Sequence, residues 1–164
     1  MAAWVVLGVG LTLAAAWDVR ARRIPDGITL PLGLFGIGLN GWSAGVGDVR
    51  SGVVGAACGA ALGAAPLVYS AWRGGLGWGD VKLMAAVGAV MGLQSMVSTA
   101  VCVALVGAVQ AAVVLLWNGE AAAAAATLVR RSPGTGRSIP YGIAIALGTA
   151  WSLWWQYPTV EFPR

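Results

Sequence analysis

A chain of 164 residues that is 59% hydrophobic and only 10% charged, with mean hydropathy +0.79, carries more apolar surface than one soluble domain can bury, and reads as a membrane protein. It has no histidine, which excludes a Ser-His-Asp triad, a Cys-His pair and a His-ligated metal, and its two cysteines, Cys58 and Cys102, lie in apolar runs without the CxxC spacing of a zinc site or a disulfide framework. The net charge of +4 reports topology in a chain of this kind rather than nucleic-acid binding.

Residues 4–17 form the first apolar run and end in Ala14-Ala15-Ala16-Trp17-Asp18, which has the small residues of a signal-peptide cleavage site. A signal peptide needs a basic lead-in, and no Lys or Arg precedes Arg20, so the run is expected to be retained as a first span with its N-terminus outside. Residues 18–26 read as a polar loop carrying Arg20, Arg22 and Arg23. Pro25-Asp26-Gly27 then marks the start of a second span, residues 28–42, because proline suits a first helical turn and Asp26 can cap it. Residues 45–50, with Asp48, are a turn. A third span, residues 51–72, places Gly55, Gly59 and Gly63 at four-residue spacing, a flat stripe suited to close helix packing rather than to a ligand.

A glycine-rich loop, residues 73–80, precedes an apolar run over residues 81–117, far longer than the roughly 20 residues of one bilayer crossing. The run is expected to break at Gly92-Leu93-Gln94-Ser95, giving a short fourth span and a fifth over residues 97–117. Asn118-Gly119 marks a turn. Residues 120–131 read as an alanine-rich helix with Glu120 at its N-terminal end and Arg130 and Arg131 at its C-terminal end, as the helix dipole favours. Residues 132–137 are loop by composition, and residues 139–155 are a sixth span.

The fold expected is therefore an all-α, polytopic membrane helix bundle of about six transmembrane helices, one membrane-embedded domain over residues 1–164 with both termini outside. Charge supports it: one side collects Arg20, Arg22, Arg23, Arg73, Lys82, Arg130, Arg131 and Arg137, the other only Arg50 and Arg164, which makes the first side cytoplasmic. Tryptophans fall near the two interfaces, Trp17, Trp72, Trp78 and Trp117 inside and Trp4, Trp42, Trp151, Trp154 and Trp155 outside. Asp18 and Asp80 consequently both come to the cytoplasmic face, at the end of the first span and the start of the fourth.

Asp80 stands in Gly77-Trp78-Gly79-Asp80, where the two glycines allow the backbone to leave helical geometry and a substrate strand to approach. Two carboxylates brought together in a partly desolvated site cannot both ionise, so one keeps a proton while the other acts as base on a water, without metal or covalent intermediate. A lone aspartate at a helix end is ordinarily a cap or an interfacial group, and the carboxylates by themselves favour that reading. Asp26 is better explained as an N-cap and Asp48 as a turn residue. Lys82, two positions past Asp80, is turned to another face of a helix and reads as a charge near the headgroups. A small non-enzymatic transporter or proton-relay bundle explains the same carboxylates, and so does a purely structural membrane component.

Three motifs in order shift the balance: Asp18-Val-Arg-Ala-Arg-Arg-Ile-Pro25-Asp26, then Gly77-Trp-Gly79-Asp80-Val-Lys82, then Ile139-Pro140-Tyr141-Gly142. Together they closely resemble the type IV prepilin peptidases, which are GxGD-type membrane aspartic proteases. The resemblance implies that Asp18 and Asp80 are the catalytic pair, with Gly77, Gly79, Lys82, Pro25, Asp26, Pro140, Tyr141 and Gly142 in support, and that no cofactor or metal is used. It implies prepilin-like precursors as substrates, cut between a short basic leader and a hydrophobic helix, at the cytoplasmic side of a bacterial inner membrane. Membrane lipid is the other partner, and nucleic acid is not expected. The longer members of the family add a cytoplasmic region with paired CxxC motifs and N-methyltransferase activity. Its absence from this sequence leads to an expectation of leader removal without methylation, similar to the short peptidases of Flp/Tad-type pilus systems and to the related archaeal preflagellin peptidases.

Overall fold

A computed structural model describes residues 2–21, 24–50, 52–73, 76–117 and 141–156. They form five helices: α1 (Ala2–Ala21), α2 (Asp26–Ala44), α3 (Val53–Trp72), α4 (Trp78–Trp117) and α5 (Gly142–Gln156). The architecture is all-α, and α1, α3 and α4 are each long and apolar enough to cross a membrane, so the chain is a multi-pass membrane protein. The expected Asn118-Gly119 turn, the helix over residues 120–131, the following loop and Pro140 lie outside the described residues, as do Arg22, Arg23, Arg137 and Arg164.

Several boundaries differ from those expected, each for a local reason. Asp18 is not in a loop, because α1 runs on through Ala21 and holds it in its last turn. Asp26 does not cap α2: Pro25 occupies the N-cap position in extended geometry (φ −70°, ψ 140°), and Asp26 lies in the first turn, where its charge complements the helix dipole. In the long apolar run a single residue, Gly92, leaves helical geometry, whereas Leu93, Gln94 and Ser95 are helical. Gly92 has φ 70° and ψ 172°, a region that is essentially glycine-only, so the turn is made in one residue instead of four.

Across this break the chain folds back. In an unbroken helix Met84 and Met96 would be about 18 Å apart along the axis, yet a Cβ built on Gly63 of α3 would lie 2.7 Å from the carbonyl oxygen of Met84 and 2.7 Å from the terminal methyl of Met96. Breaking a helix inside a bundle orphans carbonyls that lipid cannot satisfy. The buried side-chain amide of Asn40, on α2, takes them: its Nδ2 donates to the carbonyls of Ala89 and Val90 at 2.9 and 3.2 Å, and to Gly36 of its own helix at 2.9 Å.

Helices in lipid gain little from burying apolar surface against each other, so small residues that permit close backbone approach decide the packing. On the expected stripe, Gly59 and Gly63 do this: Gly59 meets the backbone of Gly88 and Gly92, and a Cβ on Gly88 would lie 2.6 Å from the Gly59 carbonyl carbon. Gly55 packs instead against the Arg50 backbone in the α2–α3 turn, where a Cβ would be 2.7 Å from the Arg50 carbonyl carbon. Gly36 brings α2 onto the first limb of α4 beside Val90, and Gly148 brings α5 onto the second limb beside Val103. Thr99 and Ser152 close the α4–α5 seam with a buried 2.9 Å hydroxyl pair.

These contacts set directions. Asp26 faces Lys82, Gly33 faces Ala86 and Gly36 faces Val90, so α2 runs parallel to the first limb of α4. Tyr141 meets Gly107, Gly148 meets Val103 and Ser152 meets Thr99, so α5 runs antiparallel to the second limb. The C-terminal end of α1 and the N-terminal ends of α2, α4 and α5 therefore gather at one end of the bundle, together with Arg20 and Lys82, while Gly92 and Arg50 meet at the other.

Gly88→Ala is expected to lower stability by about 1–3 kcal/mol, because the new methyl meets backbone that can move only by separating α3 from α4. Gly38→Ala, with open space around the new methyl, is expected to be neutral or stabilising by up to about 1 kcal/mol. Asn40→Leu leaves two carbonyls unpaired in the bundle and is expected to cost about 1–3 kcal/mol. Thermal unfolding midpoints in detergent measure all three.

Candidate active site

At the gathered end, a cleft of about 270 Å³ is lined by Asp18 from α1, Ile24 and Asp26 at the start of α2, and Gly77, Trp78, Gly79, Asp80 and Lys82 at the start of α4. Sequence positions more than 60 apart thus share one cavity. Both Asp18 and Asp80 are buried, at 6% and 7% exposure.

Each carboxylate is placed by a helix end. Oδ2 of Asp18 accepts the backbone N–H of Gly142, the first residue of α5, at 2.9 Å, so the positive end of that helix dipole points at the carboxylate. Glycine is required there, since a Cβ on residue 142 would lie 2.8 Å from Asp18 Oδ2 and 3.1 Å from Asp18 Cβ. Tyr141, half-buried just before it, seats its ring against Gly107. Asp80 lies in the first turn of α4, where its backbone N–H donates to the Gly77 carbonyl at 3.2 Å.

The two glycines before Asp80 do different work from that expected. Gly77 precedes the helix, but α4 starts at Trp78, so Gly79 and Asp80 are already helical. What Gly79 provides is room for another segment: a Cβ there would lie 3.0 Å from Ile24 Cβ and 3.1 Å from the Ile24 backbone nitrogen. Ile24 is packed onto the start of α4 by that contact. The segment entering α2 is thereby locked beside Asp80.

Lys82 is also placed differently. It is not a free headgroup charge: its Nζ donates to Oδ1 and Oδ2 of Asp26 at 2.7 and 2.9 Å, and the pair stands about half exposed at the cleft. The two-residue offset from Asp80 does turn Lys82 around the helix, and the face it reaches is the one α2 covers. Asn40 and Ile24 are structural contributors that the sequence reading passed over. An amide in the middle of an apolar span was the available signal for Asn40; nothing local marks Ile24. Among the described residues, no three acidic, histidine or cysteine side chains come together to hold a metal ion.

Compared with known proteins, the chain matches the model of the type IV leader peptidase family over residues 5–116, a stretch that includes Asp18, Asp26, Gly77, Gly79, Asp80 and Lys82 and ends before Tyr141 and Gly142. It is 32% identical over 117 residues to a prepilin leader peptidase/N-methyltransferase of Burkholderia pseudomallei, covering 70% of this chain and 37% of that protein. It is 34% identical over 126 residues to the protein of that name from Neisseria gonorrhoeae, covering 71% of this chain and 43% of the relative. A third, from Klebsiella pneumoniae, is 39% identical over 92 residues, 54% of this chain and 40% of the relative. The chain thus matches well under half the length of these curated relatives. No solved structure matches it significantly.

Since the Lys82–Asp26 pair is half exposed, Lys82→Met is expected to cost less than about 1 kcal/mol in detergent unfolding. Gly142→Ala, which forces α5 away from Asp18, is expected to cost about 1–3 kcal/mol in the same measurement.

Proposed function

Since the chain belongs to the type IV leader peptidase family, we propose that it is a membrane-embedded aspartic endopeptidase that removes the short basic leader from type IV prepilin-like precursors, with Asp18 and Asp80 as its catalytic pair. The observation that carries this reading is the single cleft that both buried carboxylates line, at the end of the bundle where four helix termini converge. Counting the two limbs of α4 separately, the bundle is read as six spans with both termini outside. The cleft then opens to the cytoplasm, where the basic residues Arg20 and Lys82 also lie, in a bacterial inner membrane.

Chemistry follows from the pair. In the proposed mechanism the two carboxylates share one proton, since two like charges in a poorly solvated site repel each other. The ionised member takes a proton from water as that water attacks the scissile carbonyl. The protonated member donates a hydrogen bond to the carbonyl oxygen, and a proton then passes to the leaving nitrogen. Gly142 occupies one oxygen of Asp18 and so orients the carboxylate, and Oδ1 is the oxygen assigned to water or substrate. Gly79 with Ile24, and Lys82 with Asp26, hold the opposite wall. The scissile bond has to be outside helical hydrogen bonding to be attacked, which suits a cleft at the end of the bundle rather than in its middle.

Co-expression with a candidate pilin precursor, read by the mass of the product, tests the proposal. Asp18→Asn and Asp80→Asn are each expected to slow processing by at least about a hundredfold, the scale of a lost acid or base, while the protein still inserts and accumulates. Normal processing by either variant defeats the assignment. A proton-relay bundle predicts no processing by the unsubstituted chain either.

A further inference from the structure

Beyond Lys82 the cleft gives way to a second recess. An apolar groove of about 240 Å³ is lined by Leu30, Gly33 and Leu34 of α2, by Ala85, Ala86 and Ala89 of the first limb of α4, and by Ala60 of α3. Both leucines are more than half exposed, so the groove opens sideways to where lipid lies. Its volume is below the range of ordinary small-molecule sites, roughly 300 Å³ and upward, and suits one or two apolar side chains rather than a helix. Lys82 lines both recesses and stands where they join.

Small residues leave shallow grooves in any helix bundle, but this one has an unmet hydrogen-bonding group. Thr29 lines it, the residue is 3% exposed, and its hydroxyl finds no hydrogen-bond partner among the described residues. Helical hydroxyls normally bond back to a carbonyl one turn earlier, as those of Thr12 and Thr99 do here at 3.0 and 2.8 Å. A buried hydroxyl left unpaired costs free energy that an incoming carbonyl recovers.

We propose that this groove is a specificity subsite for the first large apolar side chain of the precursor beyond the scissile bond, with the Thr29 hydroxyl offered to the precursor backbone there. The proposal rests on the peptidase reading and deepens it. Along the surface the order is acidic cleft, Lys82, apolar groove. Along the proposed substrate the order is basic leader, scissile bond, apolar helix, so charge meets charge and apolar meets apolar in one register.

Gly33→Leu tests it, because a Cβ at residue 33 meets only Ala86, at 3.8 Å, and a longer side chain extends over the groove without disturbing the backbone. Two forms of one precursor are compared, one with its native large apolar residue just beyond the scissile bond and one with alanine there. In Gly33→Leu the ratio of processing rates, large over alanine, is expected to fall at least about tenfold, the usual penalty of a pocket that has lost room for a methylene or two. An unchanged ratio, whether both rates fall or neither does, overturns the subsite and leaves the groove to lipid. Failure of the unsubstituted chain to process either form overturns the peptidase reading and the subsite with it. A second measurement does not depend on that variant. With Asp80→Asn to halt cleavage and Cys58 and Cys102 replaced by alanine, Leu34→Cys is expected to form a disulfide with a cysteine at the same precursor position. A disulfide between two copies of the chain, or none, overturns the assignment.

Discussion

The hydrogen bond from the Gly142 N–H to Asp18 is the contact on which the arrangement at the cleft depends. It joins the last turn of the first helix to the first residue of the last, and it does so through a carboxylate buried at the end of an apolar bundle. A charge in that position is costly unless something of opposite sign faces it, and the open N-terminus of a helix supplies N–H groups and a favourable dipole without adding a cation. The same contact closes one side of the bundle. Any side chain at residue 142 would push α5 off α1 and turn the carboxylate away from the cleft.

The other wall is built on a comparable economy of atoms. Gly79 lets the Ile24 backbone lie against the start of α4, and the pair of Asp26 with Lys82 joins α2 to α4 one turn later. Farther down, the chain reverses at Gly92, and the amide of Asn40 receives the carbonyls that the reversal exposes. The reversal sends the second limb of α4 back to the cleft end, where Gly107 receives Tyr141 and so sets the start of α5. A one-residue break near the far end of the bundle thereby decides where the residue facing Asp18 is placed.

Much of this was legible in the sequence because it follows from local composition. Apolar runs separated by Gly, Pro and charge marked the helices, the excess length of one run required a break, and glycine at four-residue spacing marked a packing face. The family could be read from three short motifs. What misled was treating motif residues by their position in the chain alone. Gly77 and Gly79 looked like one flexible hinge, yet Gly79 is helical and serves a segment that arrives from residue 24. Lys82 looked unpartnered because its partner, Asp26, is 56 residues away. Asp26 in turn looked like a cap because nothing nearby claimed its carboxylate.

By itself the amino-acid sequence determined that the chain is helical, lies in a membrane and carries two aspartates of suspicious context, since hydropathy and spacing are properties of neighbouring residues. Only the tertiary structure decided that those aspartates share a cleft, that Gly142 holds one of them, and that Asn40 repairs the break at Gly92. Those outcomes depend on which helices touch. In a bundle where lipid and protein are equally apolar, that choice is made by backbone approach at single glycines and by a few buried polar atoms finding partners, neither of which leaves a periodic mark in the sequence.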